Sequence, residues 1–135
     1  MKRYIYLILL LTLFSCKSDA ELAIERGIQY FEWSKYNEAM LEFNEAKYLL
    51  YNKGKENYKN LELIAQTHYN LAITYAKLNN LSKAHEEAQR AYTLIPKPEY
   101  FELINLILAQ QTKSYPVISS PPSTLIILPV IQLDS

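Results

Sequence analysis

The sequence repeats itself at a fixed separation of 45 residues, and this repeat limits the possible folds more than any other feature. A shift by that distance brings residues of similar size or type together at six positions. The aligned pairs are Gly27 with Ala72, Tyr30 with Tyr75, Tyr36 with Leu81, Ala39 with Ala84, Ala46 with Ala91 and Tyr51 with Pro96. Self-similarity at a fixed period is typical of chains that stack copies of one supersecondary unit. We therefore expect one structural unit that is present twice.

The spacing of small and large residues predicts that this unit is helical. Ala84, Ala88 and Ala91 fall on one face of a helix. Small residues on such a face let two antiparallel helices approach closely, while the large Tyr30 and Tyr75 fill the remaining space. The chain contains only two glycines, which also favours helices over a sheet with many turns.

Polar residues mark where the second helix of each unit should start. Asn37 and Ser82 occupy equivalent places just before the alanine-bearing helices, so we predict that both are N-caps. Asn79 and Asn80 supply a turn before the second of these helices.

The two copies resemble the tetratricopeptide repeat, a helix–turn–helix of about 34 residues. The first copy reads Ala20-x6-Gly27-x2-Tyr30-x5-Tyr36-x2-Ala39-x3-Phe43-x2-Ala46. The second copy reads Ala65-x5-Leu71-Ala72-x2-Tyr75-x5-Leu81-x2-Ala84-x3-Ala88-x2-Ala91-x4-Pro96. Two positions depart from the family pattern, because Arg26 stands where the family has leucine and the first copy ends on Tyr51 instead of proline. The resemblance covers residues 20–112 and implies an all-α fold of antiparallel hairpins, a fragment of an α-solenoid.

The separation of 45 residues exceeds the family unit, and the excess lies around residues 52–60. We predict a first repeat over about residues 20–53, a polar bend, and a second repeat over about residues 57–96. The added residues lengthen the two helices beside the bend; the alternative is a recognition loop. Insertions of this kind cost a fold little free energy.

One further helix is predicted after the second repeat, over about residues 98–112. It takes the place of a third repeat's first helix, and we interpret it as the helix that closes the stack. About three units are usually needed for stability, so longer helices, membrane tethering, dimerisation to a homodimer, or a bound partner could each make up the deficit. Residues 113–135 form a proline-containing apolar tail, which either packs on its own helices or docks on a partner.

The first 15 residues have the features of a secretory signal. Lys2 and Arg3 precede an apolar run of eleven residues, which is too short to span roughly 30 Å of hydrocarbon. The run ends at Leu13-Phe14-Ser15-Cys16, which resembles the lipobox of bacterial lipoproteins. That resemblance implies a lipid on Cys16, the only cysteine in the chain, followed by a short linker to residue 19. The alternative is an ordinary signal peptide that is cut near Ser15.

Composition and spacing argue against several function classes. Without Lys2 and Arg3 the chain has 12 basic and 14 acidic residues, which gives no electrostatic footprint for nucleic acid. His68 and His85 belong to no metal-ligand or triad spacing, and we expect His68 at the edge of the core and His85 on an exposed face. No phosphate-binding loop is present in the sequence. We therefore predict no enzymatic activity, no metal and no cofactor.

The family resemblance implies a binding groove lined by the first helix of each repeat. By matching position, the groove residues are Ile24, Ile28, Phe31, Tyr69, Ile73, Ala76, Leu103 and Ile107. The basic clamp that recognises acidic C-terminal peptides in some family members is not recognisable here. A hydrophobic or aromatic-bearing segment of a protein partner is therefore the expected ligand.

These features together predict a lipid-anchored scaffold that binds proteins in the bacterial envelope, on the outer membrane and facing the periplasm. Assembly of an envelope complex is one role that the resemblance suggests. The alternative is a structural or surface-displayed lipoprotein that presents its tail.

Overall fold

The computed structural model describes residues 17–53 and 57–114, which form five α-helices and no strand. The helices are α1 (Asp19–Glu32), α2 (Tyr36–Asn52), α3 (Tyr58–Lys77), α4 (Leu81–Leu94) and α5 (Pro98–Ser114). Each helix packs against the next one along the chain, and α1 also contacts α3. Two helical hairpins, α1–α2 and α3–α4, are thus followed by α5. None of these helices is long and apolar enough to cross a membrane.

The turns inside the two hairpins are identical in backbone geometry. Ser34 and Asn79, which are 45 residues apart, both adopt a left-handed conformation, with φ of 59° and 58°. In each turn the next amide donates a hydrogen bond to the carbonyl five residues before it, from Lys35 to Tyr30 and from Asn80 to Tyr75, both at 2.9 Å. This pattern is the Schellman motif, which ends a helix and satisfies its last carbonyls. The 45-residue repeat therefore extends from the side chains to the backbone.

The predicted N-caps of α2 and α4 are wrong. The N-caps are Lys35 and Asn80, and Asn37 and Ser82 lie inside the first turns of the helices. The reason is the Schellman turn, which is so short that each second helix begins immediately after it. Asn80 caps α4 with its side chain, which accepts a hydrogen bond from the Lys83 amide, whereas Lys35 makes no side-chain cap.

Alanines at the helix interfaces make the hairpins compact. Ala39, Ala46, Ala84, Ala88 and Ala91 are completely buried. The largest core cluster joins α1, α2 and α3, and it contains Ala20, Ala23, Ile24, Ala39, Phe43, Ala46, Leu50, Ile64 and Leu71. A second cluster joins α3, α4 and α5 around Ala72, Leu81, Ala84, Ala88, Ile104 and Ile107.

The two departures from the family pattern both make polar contacts. Arg26 forms an ion pair with Glu42 of α2 at 2.8 Å and a longer one with Glu45. Tyr51 bonds through its hydroxyl to the ring of His68, with the two atoms 2.9 Å apart. At the two positions where the family has leucine and proline, this chain thus has Arg26, which forms an ion pair, and Tyr51, which forms a hydrogen bond.

Helices α2 and α3 lie on either side of the predicted bend, and α5 covers the residues predicted for the closing helix. Helix α2 ends at Asn52, and Asn57 caps the start of α3 by accepting a hydrogen bond from the Lys59 amide. Helix α5 runs from Pro98 to Ser114. The predicted signal segment, Cys16, residues 54–56 and residues 115–135 lie outside the described residues.

Candidate protein-binding groove

The groove begins where the starts of α1 and α3 are held together. Ser18 and Glu21 form a capping box at the start of α1, and Lys59 of α3 pairs with Glu21 at 2.9 Å. The hydrogen bond from the Ser18 amide, supported by the Lys59 ammonium group, lowers the pKa of Glu21 to about 2. Glu21 therefore keeps its negative charge throughout the physiological pH range, and the ion pair links the two helices.

Two adjoining clefts lie between α1 and α3. The deeper one has a volume of about 200 Å³ and is lined by Ile28, Phe31, Phe43, Asn70 and Ile73. The other has a volume of about 280 Å³, is lined by Ile24, Ile28, Leu63 and Gln66 among others, and has Glu21, Glu25 and Lys17 at its edge. Ile28 borders both clefts, and we call the two together the α1–α3 groove. Its apolar walls suit an apolar side chain, and the charges lie at one end.

Asn70 places a polar group in the wall of the deeper cleft. Its side-chain nitrogen is buried, and no atom of the described residues accepts a hydrogen bond from it. A buried donor without an acceptor costs about 1–3 kcal/mol. An acceptor on a bound ligand recovers that free energy only when the Asn70 amide turns its nitrogen from this buried position towards the cleft.

The eight residues predicted to line the groove divide into two sets. Ile28, Phe31 and Ile73 line the same cleft, and Ile24 borders the second cleft although it is itself almost fully buried. The other four pack at the junction with α4 and α5. That set consists of Tyr69, which lies against Tyr100 with ring centroids 5.0 Å apart, the partly buried Ala76 and Leu103, and the buried Ile107.

Asn70, Leu63 and Gln66 belong to the groove but were not predicted from the sequence. Asn70, Gln66 and Leu63 lie three, seven and ten residues before Ile73, and these spacings place all three on the same side of α3 as Ile73. The helical period could therefore have identified them, but the family comparison selected only the matching apolar positions. The floor residue Phe43 comes from α2, and only the folded hairpin reveals it.

A buried polar network lies at the junction of the two hairpins. His68, which is 1% exposed, contacts the Glu87 carboxylate through Nδ1 and the Tyr51 hydroxyl through Nε2. Lys47 lies 3.4 Å from the other oxygen of Glu87. The four residues come from α2, α3 and α4, so the network joins both hairpins. His68 thus lies in the core, not at its edge, while His85 is partly buried.

The network keeps Glu87 charged. Burial alone would raise the pKa of Glu87, but hydrogen bonds from His68 and Lys47, together with their positive charge, lower it below its usual value. Burial also raises the pKa of Tyr51; to a smaller extent, the positive charge of Arg90 lowers it and the negative charge of Glu87 raises it. A tyrosine with a raised pKa ionises less readily, and its hydroxyl stays available for the contact with His68 that joins α2 to α3.

Within residues 17–53 and 57–114 there is no group of three or more acidic, histidine or cysteine side chains that could hold a metal ion. Cys16, the predicted site of lipidation, precedes the first described residue.

No protein-family model matches the chain, and no curated protein matches it. Among solved structures, the chain is similar to the N-terminal domain of stress-induced protein-1 from C. elegans, with a TM-score of 0.59 and 19% sequence identity. The similarity covers 66% of this chain and 67% of that domain's chain. At this identity the similarity concerns the fold alone. Together with the five helices, it shows that the fold is of the tetratricopeptide type, as the sequence predicted.

Proposed function

We propose that the chain is a protein-interaction scaffold whose α1–α3 groove holds an apolar segment of a partner protein. The cleft formed by Ile28, Phe31 and Ile73 is the observation that carries this proposal, because its walls are apolar and it opens on the surface. The tetratricopeptide-type fold supports a scaffold, and the proposal includes no catalysis by the chain.

The chemistry of the cleft limits what the partner segment contains. Burial contributes about 25 cal/mol per Å² of apolar surface, so a leucine, isoleucine or phenylalanine side chain supplies most of the binding free energy. A main-chain carbonyl beside that side chain accepts a hydrogen bond from Asn70 once the amide turns its nitrogen, which is buried and has no acceptor among the described residues, towards the cleft. The ligand is therefore an apolar segment with an accessible backbone.

Photo-crosslinking in living cells tests this binding mode. A photoreactive amino acid replaces Gln66, which is exposed and lines the groove, or Leu41, which is 66% exposed on α2 and lies outside it. We expect a discrete crosslinked partner from position 66 and none from position 41. Adding Ile73→Asp to the position 66 variant should abolish the product. Equal products from both positions, or a product that survives Ile73→Asp, would contradict the groove.

We also propose that Cys16 carries the lipid that holds this scaffold on the bacterial envelope, at the outer membrane and facing the periplasm. The lipobox-like sequence Leu13-Phe14-Ser15-Cys16 supports the anchor. Labelling with a palmitate analogue tests it: the wild type should be labelled and Cys16→Ala should not, and equal labelling would refute the anchor. Trypsin added to intact cells tests the orientation, because digestion of the scaffold would favour surface display instead.

A further inference from the structure

Helix α5 exposes the face that corresponds to the inner face of α3. The family unit of about 34 residues pairs Thr67, Leu71 and Ala72 of α3 with Phe101, Asn105 and Leu106 of α5. In α3 the three residues are completely buried. In α5, Phe101 is 52% exposed and Leu106 is 61% exposed. A helix face that is covered in the second hairpin is therefore open in α5.

The open face of α5 carries large apolar side chains at its two borders. Phe101 and Leu108 lie one above the other at one border, and Tyr92 of α4 extends this group, with its ring centroid 5.7 Å from that of Phe101. Leu106 lies at the other border, about 140° around the helix from Phe101, and the exposed Glu102 and Asn105 lie between them. We call the surface from Phe101 and Leu108 to Leu106, with Tyr92 beside it, the α5 face. Large apolar side chains that stay exposed on one face are candidates for an interaction site.

The sequence beyond Ser114 contains a segment with matching chemistry. Between Leu125 and Leu133 every residue except Gln132 is apolar. Ten residues, 115–124, connect α5 to this segment, and ten residues can span roughly 33 Å. Helix α5 has 17 residues and is about 25 Å long. The connection is therefore long enough for the segment to reach any part of the α5 face.

We propose that residues 125–133 dock on the α5 face of the same chain. The covalent connection gives the segment a millimolar effective concentration at this surface, which a second copy would not reach at ordinary protein concentrations. The docked segment takes the role of the missing partner helix and completes the burial of α5. This proposal concerns a different surface from the α1–α3 groove and does not depend on a partner.

Thiol accessibility in the full chain tests the proposal. In a Cys16→Ser background the introduced thiol is the only one in the chain. The test variant is Leu106→Cys, and the reference is Tyr48→Cys on α2, which is 68% exposed. We expect the Leu106→Cys thiol to react with a maleimide at least tenfold more slowly than the reference thiol. Deleting residues 115–135 should raise its rate to that of the reference.

A second variant protects the test against failure of the shortened chain to fold. Ile127→Asp combined with Ile131→Asp keeps the chain length and should also expose the Leu106→Cys thiol, while helical circular dichroism stays unchanged. The proposal is wrong if the thiol reacts at the reference rate in the full chain, or if neither the deletion nor the aspartates change its rate. Protection that disappears on dilution would also overturn it, because the cover would then be a second copy.

Discussion

The two hairpins fill the same backbone position with different pairs of side chains. In the first hairpin Gly27 lies under Phe43, and a Cβ atom on Gly27 would be only 2.5 Å from the Phe43 ring. The corresponding residues of the second hairpin are Ala72 and Ala88, both completely buried in one cluster. In one hairpin a large side chain faces a residue without a side chain, and in the other two small side chains occupy the same positions. The two hairpins repeat the turn geometry, and each fills the space between its helices with its own pair of residues.

The hairpins also differ in how they use an equivalent glutamate. Glu42 of the first hairpin pairs with Arg26, whose side chain is about half exposed. Glu87 of the second hairpin pairs with the buried His68, whose counterpart in the first hairpin is Ala23. The second hairpin has a neighbour on each side, and α2 supplies Tyr51 and Lys47 to its network. The polar network of the second hairpin thus draws two of its members from a third helix.

Removing the large member of the first pair should have the greatest effect. Phe43→Ala should lower the free energy of unfolding by about 3–5 kcal/mol, because it leaves a cavity above Gly27. Urea unfolding followed by circular dichroism measures the change. The matched substitution Ala88→Gly should cost less, about 1 kcal/mol, mainly through helix propensity. Equal losses of unfolding free energy for Phe43→Ala and Ala88→Gly would contradict this account of how the two hairpins fill the space between their helices.

The second largest effect on stability is expected from replacing Glu87, and replacing the equivalent Glu42 should cost less. Glu87→Ala should cost about 2–3 kcal/mol, because it leaves the buried His68 without its charged partner. Glu42→Ala should cost under about 1 kcal/mol, since exposed ion pairs contribute little. Thermal unfolding of the two variants side by side measures the difference, and a larger loss for Glu42→Ala would contradict the assignment of the network.

Gly27→Ala should destabilise the wild-type protein by about 1–2 kcal/mol, because the added methyl group meets the Phe43 ring and overpacks the core. In a Phe43→Ala background, the same substitution should instead stabilise by about 0.5–1 kcal/mol, since the ring is gone and alanine favours the helix. The double variant would then carry the pair that the second hairpin uses. A double-mutant cycle by urea unfolding measures this change of sign. If the stability losses of Gly27→Ala and Phe43→Ala simply added, residues 27 and 43 would not fill the same space.

The smallest expected effect concerns the left-handed turns. Ser34→Gly should stabilise the protein by about 0.5–1 kcal/mol, because glycine adopts positive φ without the clash that serine meets there. Asn79→Gly should change stability less, since asparagine tolerates this conformation better than serine does. Differential scanning calorimetry can resolve the two shifts in melting temperature. A larger gain at Asn79 would mean that the two turns are not equivalent.

The hairpins were predictable because their signals are local. The alanine positions recur at helical spacing and in phase across the two copies, so they identify both the helices and the faces that pack. The N-caps were not predictable, because the turn before each helix depends on left-handed residues, and Ser34 gives no sign of that conformation. Glycine at that position would have signalled it.

The candidate site was predictable in part for a related reason. Ile28, Phe31 and Ile73 lie at matching positions on the first helices, and their cleft follows from the hairpin geometry. Tyr69 instead packs where α3, α4 and α5 meet, because Tyr100 of α5 lies against its ring. The His68 network combines residues separated by 17 and 19 positions, and no sequence pattern connects them.

Titration calorimetry with the segment that crosslinks at position 66 tests the central claim most directly. Ile73→Ala removes three carbons that the bound segment covers from the wall of the cleft, at about 0.8 kcal/mol for each CH₂, so the Kd should rise by about tenfold or more. Leu41→Ala, on the exposed face of α2, should leave the Kd within about twofold of the wild type, since less than 0.5 kcal/mol is then lost. Circular dichroism confirms that both variants are folded. If Ile73→Ala bound the segment as tightly as the wild type, the groove between α1 and α3 would not be the binding site.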